Sequence, residues 1–95
     1  MADTEHLLFG FSYHQMGQTN RWRSGGSTLG RVDAKEFGAG PRVRLAQQSE
    51  HIVWIDVLTE KTADQDIDEL SQACEALANA EFRKLYPNAE LPNAK

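Results

Sequence analysis

The stretch His51-Ile52-Val53-Trp54-Ile55-Asp56-Val57-Leu58 constrains this chain more than any other. Six of its eight residues are apolar, and Ile, Val and Trp suit a pleated, packed surface. Alternation places His51, Val53, Ile55 and Val57 on one face and Ile52, Trp54, Asp56 and Leu58 on the other. A strand packed on one side only would alternate apolar with polar residues. This one is apolar on both sides, which predicts a central strand whose second face is at least partly covered.

A helix is predicted directly after it, from about Ala63 to Leu85. Thr62 and Gln65 have capping-box spacing, and Asp64, Asp66, Asp68 and Glu69 crowd the positive end of the dipole. Ile67, Leu70, Cys74, Leu77, Ala78, Phe82 and Leu85 recur at helical spacing and form one apolar stripe. Arg83 and Lys84 suit the last turn, and Pro87 ends the element by disfavouring helical geometry at Tyr86.

The N-terminal half holds one further clear element. Leu7, Phe9, Phe11 and Tyr13 alternate with His6, Leu8, Gly10, Ser12 and His14, a period of two that reads as a strand with an aromatic face for the helix. Gln15 to Asn20 reads as a turn. Arg21-Trp22-Arg23 and Thr28 to Val32 read as short strands separated by a turn at Ser24-Gly25-Gly26-Ser27. Lys35 to Pro41 reads as irregular. Arg42 to Ala46 alternates charge with apolar residues, as a half-exposed edge strand does. The fold class that follows is α+β: a mostly antiparallel sheet of four to five strands, with one long C-terminal helix packed on one face as a two-layer sandwich. The 95 residues make one domain, with residues 1–5 and 88–95 expected as flexible tails.

Charge is unevenly placed. From Arg21 to Arg44 there are five Arg and one Lys against two acids; from Glu60 to Glu81 there are seven acids against one Lys. The net charge of −4 argues against a general nucleic-acid coat. The single cysteine, Cys74, allows no intrachain disulfide, which fits a reducing compartment. The N-terminus lacks a basic, apolar leader, and no apolar run is long enough to span a bilayer. These features predict a cytoplasmic domain without a membrane span.

The chemistry-bearing residues are few. His14 and Asp56 share the open sheet face, and a carboxylate can orient an imidazole. Ser12 and His14, two apart on one strand, are not an established nucleophile and base arrangement, and no G-x-S-x-G elbow is present. His6, His14, His51 and Cys74 lack the paired spacing of a zinc site. The sequence therefore points away from an enzyme, a metal site or a cofactor.

Two binding readings remain. In the first, Leu8, Ile52, Trp54 and Leu58 form an apolar patch on the sheet face away from the helix. The segment Gly25 to Pro41 offers only Leu29, Val32 and Phe37 to cover it. Such a patch marks an interface, and Trp is a favoured anchor. This predicts a non-enzymatic protein that occludes or captures a protein partner, as a homodimer with Trp54 near its centre. Small phage-encoded inhibitors and immunity proteins share this short, acidic profile. In the second reading, Arg21, Trp22, Arg23, Arg31, Arg42 and Arg44 bind a nucleic acid or nucleotide. The Gly-rich backbone of residues 24–30 would then face an anion, and Trp22 would stack on a base.

Overall fold

The computed structural model of the chain describes residues 5–33 and 42–91. The segments 1–4, 34–41 and 92–95, which include most of the expected tails and the irregular Lys35 to Pro41, lie outside the described residues. Among the described residues four strands precede one helix: β1 (Glu5–Gln15), β2 (Trp22–Arg31), β3 (Val43–Gln48), β4 (Ile52–Lys61) and α1 (Ile67–Leu85). The strands form one antiparallel sheet in the order β2-β1-β4-β3, and α1 packs across it. This is the α+β two-layer arrangement expected from the sequence, with β1 and β4 as its inner strands.

The two inner strands form because their apolar residues repeat every second position. Leu7, Phe9, Phe11 and Tyr13 of β1 and Val53, Ile55 and Val57 of β4 are all at most 2% exposed. They lie directly opposite one another, Phe9 to Val57, Phe11 to Ile55 and Tyr13 to Val53, so one register buries both sets against the helix. The turn from β1 to β2 uses Gly17 at φ +65°, a conformation that glycine adopts without a Cβ penalty. Thr19 Oγ1 donates to the Met16 carbonyl at 2.6 Å and holds the turn closed.

β2 differs from expectation. The Ser24 to Ser27 cluster is not a turn between two short strands but the middle of one strand. Phe11 pairs with Ser27 and Tyr13 with Ser24. Two residues of β2, Gly25 and Gly26, therefore oppose the single Ser12, as in a β-bulge. The ladder on either side outweighs the local turn preference. Trp22 and Ser24 face the helix side ahead of the bulge, and Ser27, Leu29 and Arg31 do so after it.

The helix also starts later than the capping pattern suggests. Asp66, not Thr62, is the cap, and its side chain accepts from the Asp68 N–H at 2.9 Å. Thr62 and Gln65 do make half of the expected box, since the Thr62 N–H donates to Gln65 Oε1 at 2.8 Å. That bond closes a separate turn in front of the helix. Cys74, Ala78 and Phe82 are the buried helical residues, four apart, so the packed stripe is narrow. Leu77 lies about 100° round the axis from Ala78 and is 50% exposed, and Ile67 is 38% exposed.

The end of the helix closes the core. The Tyr13 and Phe82 rings stack at 4.4 Å, and Trp22 meets Phe82 edge-on at 5.0 Å and Tyr86 at 4.8 Å. The segment after Pro87, expected to be loose as far as it is described, is tied down instead. Glu90 donates its N–H to the Asn20 carbonyl at 2.7 Å and accepts from the Trp22 N–H at 2.8 Å. These two bonds make a parallel bridge along β2, and Ala89 and Leu91 are buried beside it. Glu5, likewise expected in a tail, begins β1.

Burial shifts two groups in this core. Cys74 has its thiol pushed up by burial, against a hydrogen bond to Thr59. Tyr13 is pushed well above the usual phenol value, first by burial and then by the Glu75 carboxylate, with Arg83 opposing. Its hydroxyl donates to Asn79 Oδ1 at 2.7 Å. An unfolded tyrosine ionises near pH 10, whereas folded Tyr13 stays protonated there. Its stabilising effect is therefore full below about pH 10 and lost as pH rises above it. Unfolding free energies measured from about pH 9 to about pH 11.5 should fall more steeply for the native chain than for Tyr13→Phe. Parallel curves would show that Tyr13 does not carry the effect. Phe82→Ala should cost about 3–5 kcal/mol in urea unfolding, and Leu77→Ala no more than about 0.5 kcal/mol.

Candidate functional site on the open sheet face

The face of the sheet away from α1 is built by the residues that the core alternation leaves over. β1 contributes His6, Leu8, Gly10, Ser12 and His14; β4 contributes Ile52, Trp54, Asp56, Leu58 and Glu60. β3 adds Arg44 opposite Asp56 and Gln47 opposite Trp54, and β2 adds Arg23 opposite His14 and Thr28 opposite Gly10.

Trp54 organises the centre of this face. Its Nε1 donates to Asp56 Oδ1 at 2.9 Å, two residues along the same strand face. The other carboxylate oxygen, Asp56 Oδ2, lies 3.5 Å from Arg44 Nε on β3. Asp56 is only 7% exposed, so each of its oxygens is engaged and a buried charge is not left unpaired. The indole crosses β1 at Gly10. A Cβ there would lie 2.8 Å from Trp54 Cζ2 and 2.8 Å from Thr28 Oγ1, so only glycine leaves room for the ring. A second close approach lies across the bulge. A Cβ at Gly25 would collide with Ser12 Oγ and lie 3.0 Å from His14 Nε2.

The four apolar residues expected to form a patch are thus unequally available. Leu58 is 4% exposed, Leu8 and Trp54 are half-buried, and Ile52 is 39% exposed. The accessible part is Ile52 with the free portion of Trp54, rimmed by His14, Arg23, Arg44 and Gln47.

His14 and Asp56 share this face but do not meet. Asp56 stands opposite Gly10, four residues from His14, about 13 Å along the strand. The carboxylate is committed to Trp54 and Arg44 instead. Among the described residues no group of three or more His, Cys, Asp or Glu gathers as a metal ion would require.

The basic segment is dispersed. Trp22 is 3% exposed, inside the aromatic cluster, and cannot stack on a base. Arg31 pairs with Glu5 at 3.1 Å and Arg42 with Glu60 at 3.4 Å. Arg42 and Arg44 come together beside β4, while Arg23 stands on the opposite edge strand, three strand spacings or about 14 Å across the sheet and further still along it. Arg21 lies at the bridge to Glu90. The Gly-rich residues 24–30 belong to a strand, so their peptide groups alternate in direction and do not converge on one anion.

Sequence reasoning missed the Trp54–Asp56–Arg44 chain of contacts. The i, i+2 spacing of Trp54 and Asp56 put both on one face; the pairing with Arg44 depends on the strand order β4-β3. No protein-family model matches the chain, and no curated protein or solved structure is detectably similar to it. Among the described residues no helix is long and apolar enough to cross a membrane.

Gly10→Ala tests the central contact. The added methyl has to displace the indole or the strand, at a cost on the order of 1–3 kcal/mol. The Trp54 Nε1–H resonance should shift and exchange faster as its bond to Asp56 loosens, while the Trp22 indole is unchanged. A spectrum with both indole signals unmoved would show that Trp54 does not lie across Gly10.

Proposed function

We propose that this chain is a non-enzymatic binding protein that captures or occludes a protein partner through the open face of its sheet. The observation that carries the reading is the pinned tryptophan. Trp54 is half-exposed on a face that no helix among the described residues covers, and Asp56 and Arg44 hold its ring in place. An anchor fixed before contact loses little side-chain freedom on binding. Tryptophan beside an exposed aliphatic group, Ile52, ringed by polar residues, is the composition of an interface centre. Arg23 has no carboxylate within ion-pair reach among the described residues, and His14 stands beside it. The rim therefore favours a partner surface that offers carboxylates around an apolar projection.

The small-inhibitor or immunity type of action fits the same geometry, since occlusion needs a rigid face and no reactive group. A cytoplasmic setting is consistent with the lone buried thiol of Cys74. The dispersal of the basic segment gives no support to nucleotide binding.

A photo-crosslinking residue placed at Ile52 should give a discrete protein adduct in the native cell, and the same residue at Leu77 on the helix should not. Both positions are exposed, so neither replacement threatens the fold. Ile52 variants that yield no adduct, or adducts shared equally with position 77, would refute the open face as the capture surface.

A further inference from the structure

The alternation of β2 identifies a second contact surface, independent of the open face. Successive peptide groups of a strand point to opposite sides. The Val32 N–H donates inward to the His6 carbonyl of β1 at 2.9 Å. Ser27, Leu29 and Arg31 therefore turn their N–H and C=O groups away from β1, toward the free edge. Nothing among the described residues bonds to these outward groups. Before the bulge the same edge is already in use: the Trp22 N–H points outward and is taken by Glu90. The chain itself thus shows that this edge accepts an added strand and, among the described residues, closes only its first rung.

The open part, Ser27-Thr28-Leu29-Gly30-Arg31, lacks most of the devices that guard sheet edges. It carries no proline and no lysine. Its single charged residue, Arg31, is held by Glu5. Leu29 is 52% exposed. The other edge strand, β3, is interrupted by its own irregularity between Leu45 and Gln47.

We infer that a second copy of this chain pairs antiparallel with β2 about a two-fold axis at Leu29. Three features select this occupant and register. A two-fold places some residue opposite itself, and only Leu29 as that residue engages all three outward groups. Leu29 then covers its own copy, about 5.5 Å away in a hydrogen-bonded pair. Ser27 meets Arg31 of the second copy, and Thr28 meets Gly30 of the second copy, so no like charges face each other. An axis at Ser27 would set Arg31 against Arg23, and an axis at Arg31 would stack that residue on itself. The product is an isologous dimer with one continuous eight-stranded sheet. Both helices lie on one side, and the two open faces join on the other.

Analytical ultracentrifugation of the full chain over a concentration series tests this. The native chain should form a dimer. Leu29→Lys, which opposes two ammonium groups at the axis, should weaken it roughly tenfold or more. Ile52→Glu should leave it unchanged. Oxidation of Leu29→Cys should give a disulfide-linked dimer, because a facing pair at this spacing suits S–S geometry. Thr28→Cys, opposite Gly30 rather than itself, should not cross-link, and buried Cys74 does not compete. A monomer at all concentrations would overturn the inference. So would a dimer that Leu29→Lys leaves intact, or one that Ile52→Glu abolishes. The crosslinking from Ile52 to a different protein is read separately, so either proposal can fail alone.

Discussion

Phe82 is the contact on which the rest of the structure depends. One ring joins the helix to β1 through Tyr13 and to β2 through Trp22, and it touches Tyr86 at the helix end. Among the described residues, a sheet of four strands has one face buried by one helix. The narrow stripe Cys74, Ala78, Phe82 does this by placing small residues where the helix approaches β4 and a large one where the sheet ends. Aromatic rings in offset or edge contact add specific geometry to their area of burial. That geometry fixes where the helix stops, and so where the segment through Glu90 begins.

The placement of Trp22 follows from the same cluster and decides the fate of the basic segment. With the indole inside, β2 has to run straight past Tyr13, and the Gly25–Gly26 bulge absorbs the mismatch with β1. Arg23 then falls on the open face, while Arg31, beyond the bulge, falls on the helix side. A run of arginines that looks like one patch in sequence is divided by pleat, bulge and strand order. Charge density along a chain predicts a surface only when the chain's path is known.

The inner strands and the helix were legible in the sequence because burial there leaves a period. Leu7 to Tyr13 and Val53 to Val57 alternate, and Cys74, Ala78 and Phe82 repeat every four residues. The outer parts were not legible in the same way. Ser24 to Ser27 has turn chemistry but sits in a ladder, because pairing with β1 on both sides outweighs local preference. Leu77 fits a helical stripe by spacing, yet the helix meets the sheet along a line too narrow to include it. Thr62 and Gln65 form their bond without starting the helix, since Asp66 offers a competing cap four residues on. The segment to Leu91 reads as a polar tail because its partners, Asn20 and Trp22, are distant in sequence. On the open face the apolar residues were legible, but not their unequal exposure, which depends on what each side chain lies across.

Asp56 shows how the two faces of the sheet differ in kind. The helix side is stabilised by area, and its residues are interchangeable in principle with others of like volume. The open face instead spends a nearly buried carboxylate to hold a tryptophan. A buried ion pair returns little stability beyond an apolar pair of the same shape, so Asp56 and Arg44 are a poor device for holding the sheet together. They are a good device for holding one ring in one place, because each carboxylate oxygen has a single partner and the ring has glycine beneath it. Replacing Asp56 by a small apolar residue would keep the sheet and free the indole. What the Asp56 arrangement secures is the position of Trp54, and a fixed, half-exposed aromatic on a face that no described helix covers has its physical use in contact with another molecule.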